Sequence, residues 1–230
     1  MTSAGWSFTN VDYVFVHESQ REAFVEQARK WVSKHCPDIN SPDYTSIIDD
    51  RSYRRLEETL EDARSKGATV VNLSDDQPGN RSERKFPMHL VLDTTANMTI
   101  RNRETFGPLL MVLTYRQPEE VIKYVNGQDR PLALYPFTKN RELQDLYIER
   151  IMSGGVTVND ALFHVAQHDL PFGGVGASGM GHYHGYEGFV AFSKLRPIFY
   201  QAPFSAMKFL RPPYGAFATR VYNLLVKMKS

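Results

Sequence analysis

The chain has 230 residues, of which 42% are hydrophobic and 23% are charged, a balance typical of a globular protein with one large domain or two small ones. Its net charge of +1 gives no electrostatic support for a nucleic-acid partner, and no apolar run approaches the roughly 18 residues that a membrane-spanning helix needs. The single cysteine, Cys36, excludes an intrachain disulfide, and together with an N-terminus that lacks a signal-peptide pattern it predicts a reducing, cytoplasmic location.

The first part of the chain predicts strands alternating with amphipathic helices. A β-branched and aromatic run is typical of a buried strand, and Ser19, with Glu22 three residues later, has the pattern of a helix-capping box. A second amphipathic pattern is followed by Gly67, a helix-ending signal. The predicted elements are a strand over residues 12–17, helices over 19–37 and 51–66, and strands over 69–73 and 88–92.

The middle of the chain predicts a parallel sheet. Pro118 suits the first turn of a helix, and Asn140 is a helix cap. The predicted order is strand 109–115, helix 118–126, strand 132–137, helix 140–152 and strand 155–159. Strands that alternate with helices in this way indicate an α/β protein.

The C-terminal part predicts a short helix over residues 187–193, a strand over 196–201 and an apolar helix over 217–228. Pro203, Pro212 and Pro213 indicate a stiff, extended segment before the last helix. Lys227 and Lys229 lie at the C-terminal end of that helix, where positive charge suits the helix dipole.

The cysteine and the histidines are candidates for a nucleophile and for metal ligands, but their sequence context favours neither role. Cys36 precedes Pro37 at a predicted helix C-terminus, where the helix dipole disfavours a thiolate, so a structural cysteine is the better interpretation. The histidines near the glycine-rich stretch have neither H-E-x-x-H nor cysteine-paired spacing, so no metal site is predicted. These histidines are His164, His168, His182 and His184.

Residues 170–185 contain six of the fifteen glycines and predict a tightly folded loop between buried elements. Gly174, Gly176 and Gly179 formally match the dinucleotide-binding fingerprint G-x-G-x-x-G. That fingerprint requires a strand directly before it and an acidic residue about 20 residues later. The chain has no Asp or Glu after Glu187, so the match is rejected.

Residues 101–108 form a polar turn before the predicted central strand. Its carboxylate, Glu104, and its aromatic ring, Phe106, are suited to holding a ribose and the ring attached to it. Taken alone, the turn is better explained by a solvated glutamate and a core phenylalanine.

Taken together, two stretches in fixed order carry a family resemblance. Residues 104–108 read Glu-Thr-Phe-Gly-Pro, and residues 171–181 read Pro-Phe-Gly-Gly-Val-Gly-Ala-Ser-Gly-Met-Gly. They resemble the E-x-F-G-P and P-F-G-G-x-x-x-S-G-x-G motifs of the aldehyde dehydrogenase superfamily, in the form seen in class 3 and coniferyl aldehyde dehydrogenases. Residues 182–185, 192–193 and 212–214 strengthen that subgroup. The resemblance runs from about residue 3 to the end and covers the C-terminal half of the family's sequence.

The resemblance implies a fold. It is an α/β fold, the aldehyde dehydrogenase catalytic domain with a parallel-rich sheet flanked by helices. Residues 1–185 would form part of that catalytic domain, and residues 186–230 an oligomerisation strand and a tail helix. The implied partners are a second copy of the chain or a full-length paralogue.

The resemblance also implies NAD(P)-dependent oxidation of an aldehyde to an acid. A cysteine attacks the aldehyde, hydride passes to the nicotinamide, and water cleaves the thioester with a glutamate as base. By resemblance, Glu104 binds the ribose on the nicotinamide side and Phe106 packs near it. The residues that would border the aldehyde pocket are Leu162, Phe163, His164 and Phe172.

The chain departs from the family at the nucleophile. Members carry N-A-G-Q-x-C before the strand that matches residues 12–17, and an ungapped comparison places Phe8 at the cysteine. Arg103 also replaces an acid common in the family. The family's N-terminal half, with its nucleotide-binding domain, is also absent from this sequence. We therefore expect a truncated or degenerate member that is catalytically silent alone and binds NAD(P) poorly by itself. Two alternatives stay open: an active enzyme whose N-terminal half is missing from this sequence, and a pseudoenzyme that pairs with a full-length paralogue.

Overall fold

A four-stranded sheet forms the centre of the computed structural model, which describes residues 11–229. Its strands are β1 (Tyr13–His17), β2 (Thr69–Asn72), β3 (His89–Leu92) and β4 (Leu109–Tyr115). The strand order is β1-β4-β3-β2, in which β4 pairs in parallel with both β1 and β3, and only β2 is antiparallel. The prediction of an α/β fold with a mostly parallel sheet is confirmed.

Eight α-helices and a second, two-stranded sheet complete the described part of the chain. The helices are α1 (Arg21–His35), α2 (Asp50–Ser65), α3 (Thr99–Asn102), α4 (Pro118–Asn126), α5 (Arg141–Arg150), α6 (Phe163–Ala166), α7 (Gly185–Ala191) and α8 (Ala216–Lys229). The small sheet pairs β5 (Ala133–Leu134) in parallel with β6 (Gly155–Val156). It stands apart from the main sheet, so residues 109–159 do not form the single parallel sheet that their order predicts.

Each face of the main sheet carries its own hydrophobic cluster, because successive side chains of a strand point to opposite faces. Leu109 and Met111 of β4 pack in one cluster with Leu56 of α2. Leu110 of β4 packs in the other cluster with Val32 of α1. The two helices therefore cover opposite faces of the sheet.

Several helices begin or end at the residues that the sequence predicts. Asn140 caps α5 by accepting a hydrogen bond from the Leu143 N–H, and Pro118 begins α4. Gly67 follows α2 with a positive φ of 91°, as a helix-ending glycine should. The prediction that Ser19 caps the first helix is wrong, because a 3-10 turn over Glu18–Gln20 precedes α1 and Gln20 takes the cap position.

The predicted strand over residues 196–201 is also wrong for the described chain, where this segment belongs to no strand. A strand needs a neighbour to complete its hydrogen-bond ladder. Ile198, Phe199 and Tyr200 are instead 60%, 85% and 86% exposed.

The chain divides into two compact units, of which the first ends at Ala191 and the second begins at Phe192. The second unit contains α8 and a 3-10 turn over Ala206–Leu210, which pack on each other. The predicted division after residue 185 stays a prediction. Within residues 11–229, no helix is both long enough and apolar enough to cross a membrane.

Candidate functional site

The loop of residues 104–108 lies where β1 and β4 begin. Asp12 directly precedes β1, and its carboxylate accepts hydrogen bonds from the Thr105 N–H at 2.9 Å and from Thr105 Oγ1 at 3.1 Å. The Pro108 carbonyl accepts a bond from the His89 N–H at 2.9 Å, which ties the end of the loop to β3. Three strands therefore position this loop at one end of the sheet.

Gly107 permits close packing of the loop on α2. A Cβ placed on Gly107 would lie 2.5 Å from Leu56 Cδ2, and Leu56 is fully buried. Phe106, the preceding residue, has a φ of 44°, in the left-handed region that a bulky residue rarely adopts. The surrounding contacts thus hold Phe106 in a strained conformation, with its side chain partly exposed.

Glu104 has an exposed side chain beside two charged neighbours. Its carbonyl oxygen accepts a bond from Arg55 Nη1 at 3.3 Å. Partial burial, and then the negative charge of Asp12, raise the pKa of Glu104. Arg103 is a charged neighbour of Arg55: burial first, and then the positive charge of Arg103, lower the pKa of Arg55.

The chemistry of this loop fits the predicted ribose contact. A carboxylate offers two acceptor oxygens to a pair of neighbouring hydroxyls, and an aromatic ring beside it offers a flat apolar surface. Sequence reasoning found Glu104 and Phe106 but missed Asp12, Arg55 and Leu56, which hold them. The only available signal was an acidic residue at the start of a buried strand.

The glycine-rich loop closes on itself through its own backbone. Phe172 and Tyr183 exchange two backbone hydrogen bonds, of 2.7 and 2.9 Å. Inside the loop, Ser178 Oγ accepts from the Val175 N–H at 2.9 Å and donates to the Val175 carbonyl at 3.0 Å. A Cβ on Gly174 would overlap the backbone of Ser178, so only glycine fits there. The fingerprint glycines Gly174, Gly176 and Gly179 have no strand directly before them and lead into a 3-10 turn over Gly176–Ser178 rather than an α-helix, which agrees with rejecting the dinucleotide fingerprint.

His164 joins this loop to the small sheet. The His164 N–H donates to Thr157 Oγ1 at 3.2 Å, and that hydroxyl lies 2.8 Å from His164 Nδ1. The ring is buried and its centroid lies 6.1 Å from that of Phe172. Burial lowers the pKa of His164, and its Nε2 has no hydrogen-bond partner among residues 11–229.

The predicted pocket residues divide into two groups. His164 and Phe172 are brought together, whereas Phe163 points its side chain into solvent at 58% exposure. Leu162 precedes α6 in a left-handed conformation, with φ of 71°. Two surface cavities, of about 360 and 340 Å³, are lined by none of the four residues.

Cys36, the single cysteine of the chain, does not lie at this site. Phe8 lies outside the described residues. Cys36 caps the C-terminal end of α1 and packs against the cluster on the α1 face of the sheet. Gly107 and its loop pack on α2, which covers the opposite face. In the described part of the chain, no group of three or more His, Cys, Asp or Glu side chains is arranged to hold a metal ion.

Comparisons with known proteins agree with this architecture. The model of the aldehyde dehydrogenase family matches residues 1–198. A probable coniferyl aldehyde dehydrogenase of Caulobacter vibrioides is 46% identical over 209 residues, which cover 89% of this chain and 43% of that protein. A second, from Pseudomonas aeruginosa, is 44% identical over 98% of this chain and 47% of its own length.

Solved structures show the same fold. The substrate-bound structure of Staphylococcus aureus AldH superposes with a TM-score of 0.77 and 32% identity, over 93% of this chain and 46% of that one. An NAD-dependent aldehyde dehydrogenase from Sinorhizobium meliloti has a TM-score of 0.73 at 22% identity, over 84% of this chain and 38% of that one. This chain thus spans about half the length of the relatives that it matches.

Proposed function

This chain belongs to the aldehyde dehydrogenase family, and we propose that it provides the C-terminal part of a site that oxidises an aldehyde to a carboxylic acid with NAD or NADP. The class of substrate that its relatives' names suggest is an aromatic aldehyde of the coniferyl type. We further propose that the chain by itself is catalytically silent.

The observation that carries the proposal is the loop of residues 104–108. Its backbone is held by Asp12 and by close contact with α2, while the Glu104 side chain stays exposed. In the proposed complex Glu104 accepts hydrogen bonds from the ribose hydroxyls on the nicotinamide side, and Phe106 packs beside that ribose. When bound, the cofactor supplies the hydride acceptor for aldehyde oxidation.

His164 and Phe172, with Leu162 and Phe163 next to them, are proposed to border the aldehyde. Ring contacts between His164 and Phe172 support this role because they form an aromatic wall at the start of the glycine-rich loop. An aromatic substrate has a matching flat surface to stack on such a wall.

We propose that the chain alone has no turnover because it lacks a cysteine at the position of the family's nucleophile. Aldehyde oxidation by this route requires a thiolate that bonds to the carbonyl carbon. By resemblance that position is Phe8, whose benzyl group has no such chemistry. Cys36 packs on the sheet face opposite to the one that holds the Gly107 loop, which supports excluding it as a substitute.

The test is reduction of NAD and NADP by the purified chain, followed at 340 nm with benzaldehyde and with a long-chain aldehyde. Coniferyl aldehyde is followed by chromatography of the acid product. We expect no turnover from the chain or from its Cys36→Ala variant. Turnover that disappears in Cys36→Ala would overturn the assignment of the nucleophile.

Cofactor contact is tested separately from turnover. Calorimetric titration with NAD and NADP measures binding to the chain and to Glu104→Gln. We expect weak binding that Glu104→Gln weakens further, because the neutral amide is a poorer acceptor for ribose hydroxyls. Equal binding by the two proteins would remove Glu104 from the proposed site.

A second candidate function is pairing with another aldehyde dehydrogenase chain. It is favoured by the exposed side chains of Ile198, Phe199 and Tyr200, in a segment with strand-forming residues and no strand neighbour in the described chain. Co-purification with a full-length paralogue tests it. An active enzyme encoded by a longer reading frame, with Cys in place of Phe8, would instead favour the remaining alternative.

A further inference from the structure

The positive charges of the chain are unevenly distributed. Seven of the 27 Lys and Arg residues lie in the second unit, Phe192–Ser230, whereas all 26 Asp and Glu residues precede it. The near-zero net charge therefore hides a basic unit attached to an acidic one. The seven are Lys194, Arg196, Lys208, Arg211, Arg220, Lys227 and Lys229.

Helix α8 within this unit is amphipathic. Residues spaced by three and four positions share a helix face. One face of α8 is apolar, and the other carries Arg220, Asn223 and Lys227. The residues of the apolar face are Phe217, Val221, Leu224, Leu225 and Met228.

The apolar face of α8 is open to solvent. Phe217 is 61% exposed, Leu224 58% and Met228 74%. The 3-10 turn Ala206–Leu210 supports the helix from one side, where Tyr222 donates a hydrogen bond to the Leu210 carbonyl at 3.2 Å. Phe209 of the same turn contacts Phe217 of α8, with ring centroids 6.3 Å apart, and Lys208 Nζ lies 5.2 Å from the centroid of the Phe209 ring.

A basic amphipathic helix with an exposed apolar face is typical of segments that lie on membranes. Lysine and arginine are attracted to anionic headgroups, while the apolar side chains enter the boundary between headgroups and acyl chains. Fourteen residues of helix extend about 21 Å, so α8 suits a position in the membrane plane rather than across it. The same unit of a second copy would bring seven cations against seven, which disfavours self-association through this face.

We propose that the second unit docks on an anionic phospholipid surface, with the apolar face of α8 in the interface and the surrounding lysines and arginines on the lipid headgroups. The proposal is independent of turnover and of cofactor binding. In this proposal the anionic phospholipid surface is the partner that covers the exposed apolar face of α8.

The test is co-sedimentation of the full chain with vesicles of phosphatidylglycerol mixed with phosphatidylcholine, or of phosphatidylcholine alone. We expect binding to the anionic vesicles that weakens as salt is raised, and at least tenfold weaker binding to the neutral ones, on the order expected for several headgroup contacts. Binding that is equal for both vesicle types and insensitive to salt would overturn the proposal.

Charge variants test the headgroup contacts. Each Lys or Arg near an anionic surface is worth about fivefold in binding, so Arg220→Gln combined with Lys227→Gln should weaken binding roughly 25-fold. The matched control is Arg51→Gln combined with Arg54→Gln, which removes the same charge from exposed positions of α2 and should leave binding unchanged. An equal loss from both pairs would show only a net-charge effect and would overturn the assignment to α8.

Apolar variants test insertion. Leu224→Ser combined with Leu225→Ser should weaken vesicle binding by more than about tenfold, because two buried leucine side chains are lost from the interface. Ile48→Ser combined with Met152→Ser is the control, since both side chains are 58% exposed in the first unit. Retained vesicle binding by the leucine variant, or binding of the chain to duplex DNA or to itself in place of vesicles, would overturn the proposal.

Discussion

The two loops that carry the family's motifs are held in place by different kinds of contact. The loop of residues 104–108 depends on distant side chains, namely Asp12 before β1 and Leu56 on α2. The glycine-rich loop is held mainly by its own backbone, through the Phe172–Tyr183 pairing and the Ser178 hydroxyl. The sequence of a motif therefore does not reveal whether its backbone conformation is held by contacts within the motif or by contacts with distant residues.

The comparison predicts that the glycine-rich loop is most sensitive to changes within itself. Gly174→Ala should lower the free energy of opening this loop by about 3 kcal/mol, since a Cβ there overlaps the Ser178 backbone, which cannot move aside as a side chain can. Hydrogen exchange of the Phe172 and Tyr183 amides measures that opening. Gly215→Ala is the control, because no atom lies within 4 Å of a Cβ at Gly215. Unchanged protection in Gly174→Ala would refute the close approach.

The loop of residues 104–108 should respond to a change on α2. Gly107→Ala should reduce the free energy of unfolding by about 1–3 kcal/mol, because its Cβ presses on the buried Leu56 side chain. In a Leu56→Ala background the same substitution should cost nearly nothing, since the obstructing methyl groups are gone. Urea denaturation of the four proteins of this cycle gives the coupling. Additive costs would mean that the loop does not rest on Leu56.

Two substitutions of Asp12 should distinguish the effect of its hydrogen bond to Thr105 from the effect of its negative charge on Glu104. Asp12→Ala leaves the buried Thr105 N–H without its acceptor and should cost about 1–2 kcal/mol of stability, whereas Asp12→Asn keeps an acceptor oxygen and should cost less. Both variants remove the negative charge that helps to raise the pKa of Glu104, so both should lower that pKa.

Carboxyl NMR titration of Glu104 checks the second part, and denaturant unfolding checks the first. Burial raises the pKa of Asp12 itself, so its contribution is least favourable above its folded pKa and improves as pH falls through that value. A Glu104 pKa that is the same in all three proteins would show that Asp12 does not act on it.

The smallest effect is expected from the histidine that joins the glycine-rich loop to the small sheet. Burial lowers the pKa of His164, so its stabilisation is fully present above the unfolded-state pKa of about 6.5 and is lost as pH falls through the folded value. Amide exchange at Phe172, corrected for the intrinsic effect of pH, should therefore show easier opening on acidification. The dependence should vanish in His164→Asn and persist in the exposed control His168→Gln. Its persistence in His164→Asn would assign the effect to another group.

Periodicity predicted most of the elements because it reports burial directly. The run at residues 109–115 is the central strand β4, and the amphipathic pattern at 51–66 is α2 within one residue at each end. The prediction failed for Ser19, where a 3-10 turn precedes the helix, and for residues 196–201, where strand-forming residues have no neighbouring strand. In both cases the local sequence pattern was compatible with the predicted element. The secondary structure was decided by neighbouring residues at Ser19 and by the missing partner strand at residues 196–201.

By itself, the sequence determined the family and the residues that offer chemistry at the candidate site. Glu104, Phe106 and the glycines are recognisable because their spacing is local and only certain residue types suit those backbone shapes. Only the tertiary structure decided that Asp12 and Leu56 hold the Glu104 loop, that Cys36 lies on the opposite face of the sheet, and that the α8 apolar face is open. These facts depend on which distant segments pack together, and strand pairing order and helix placement are not written in any short stretch of the chain.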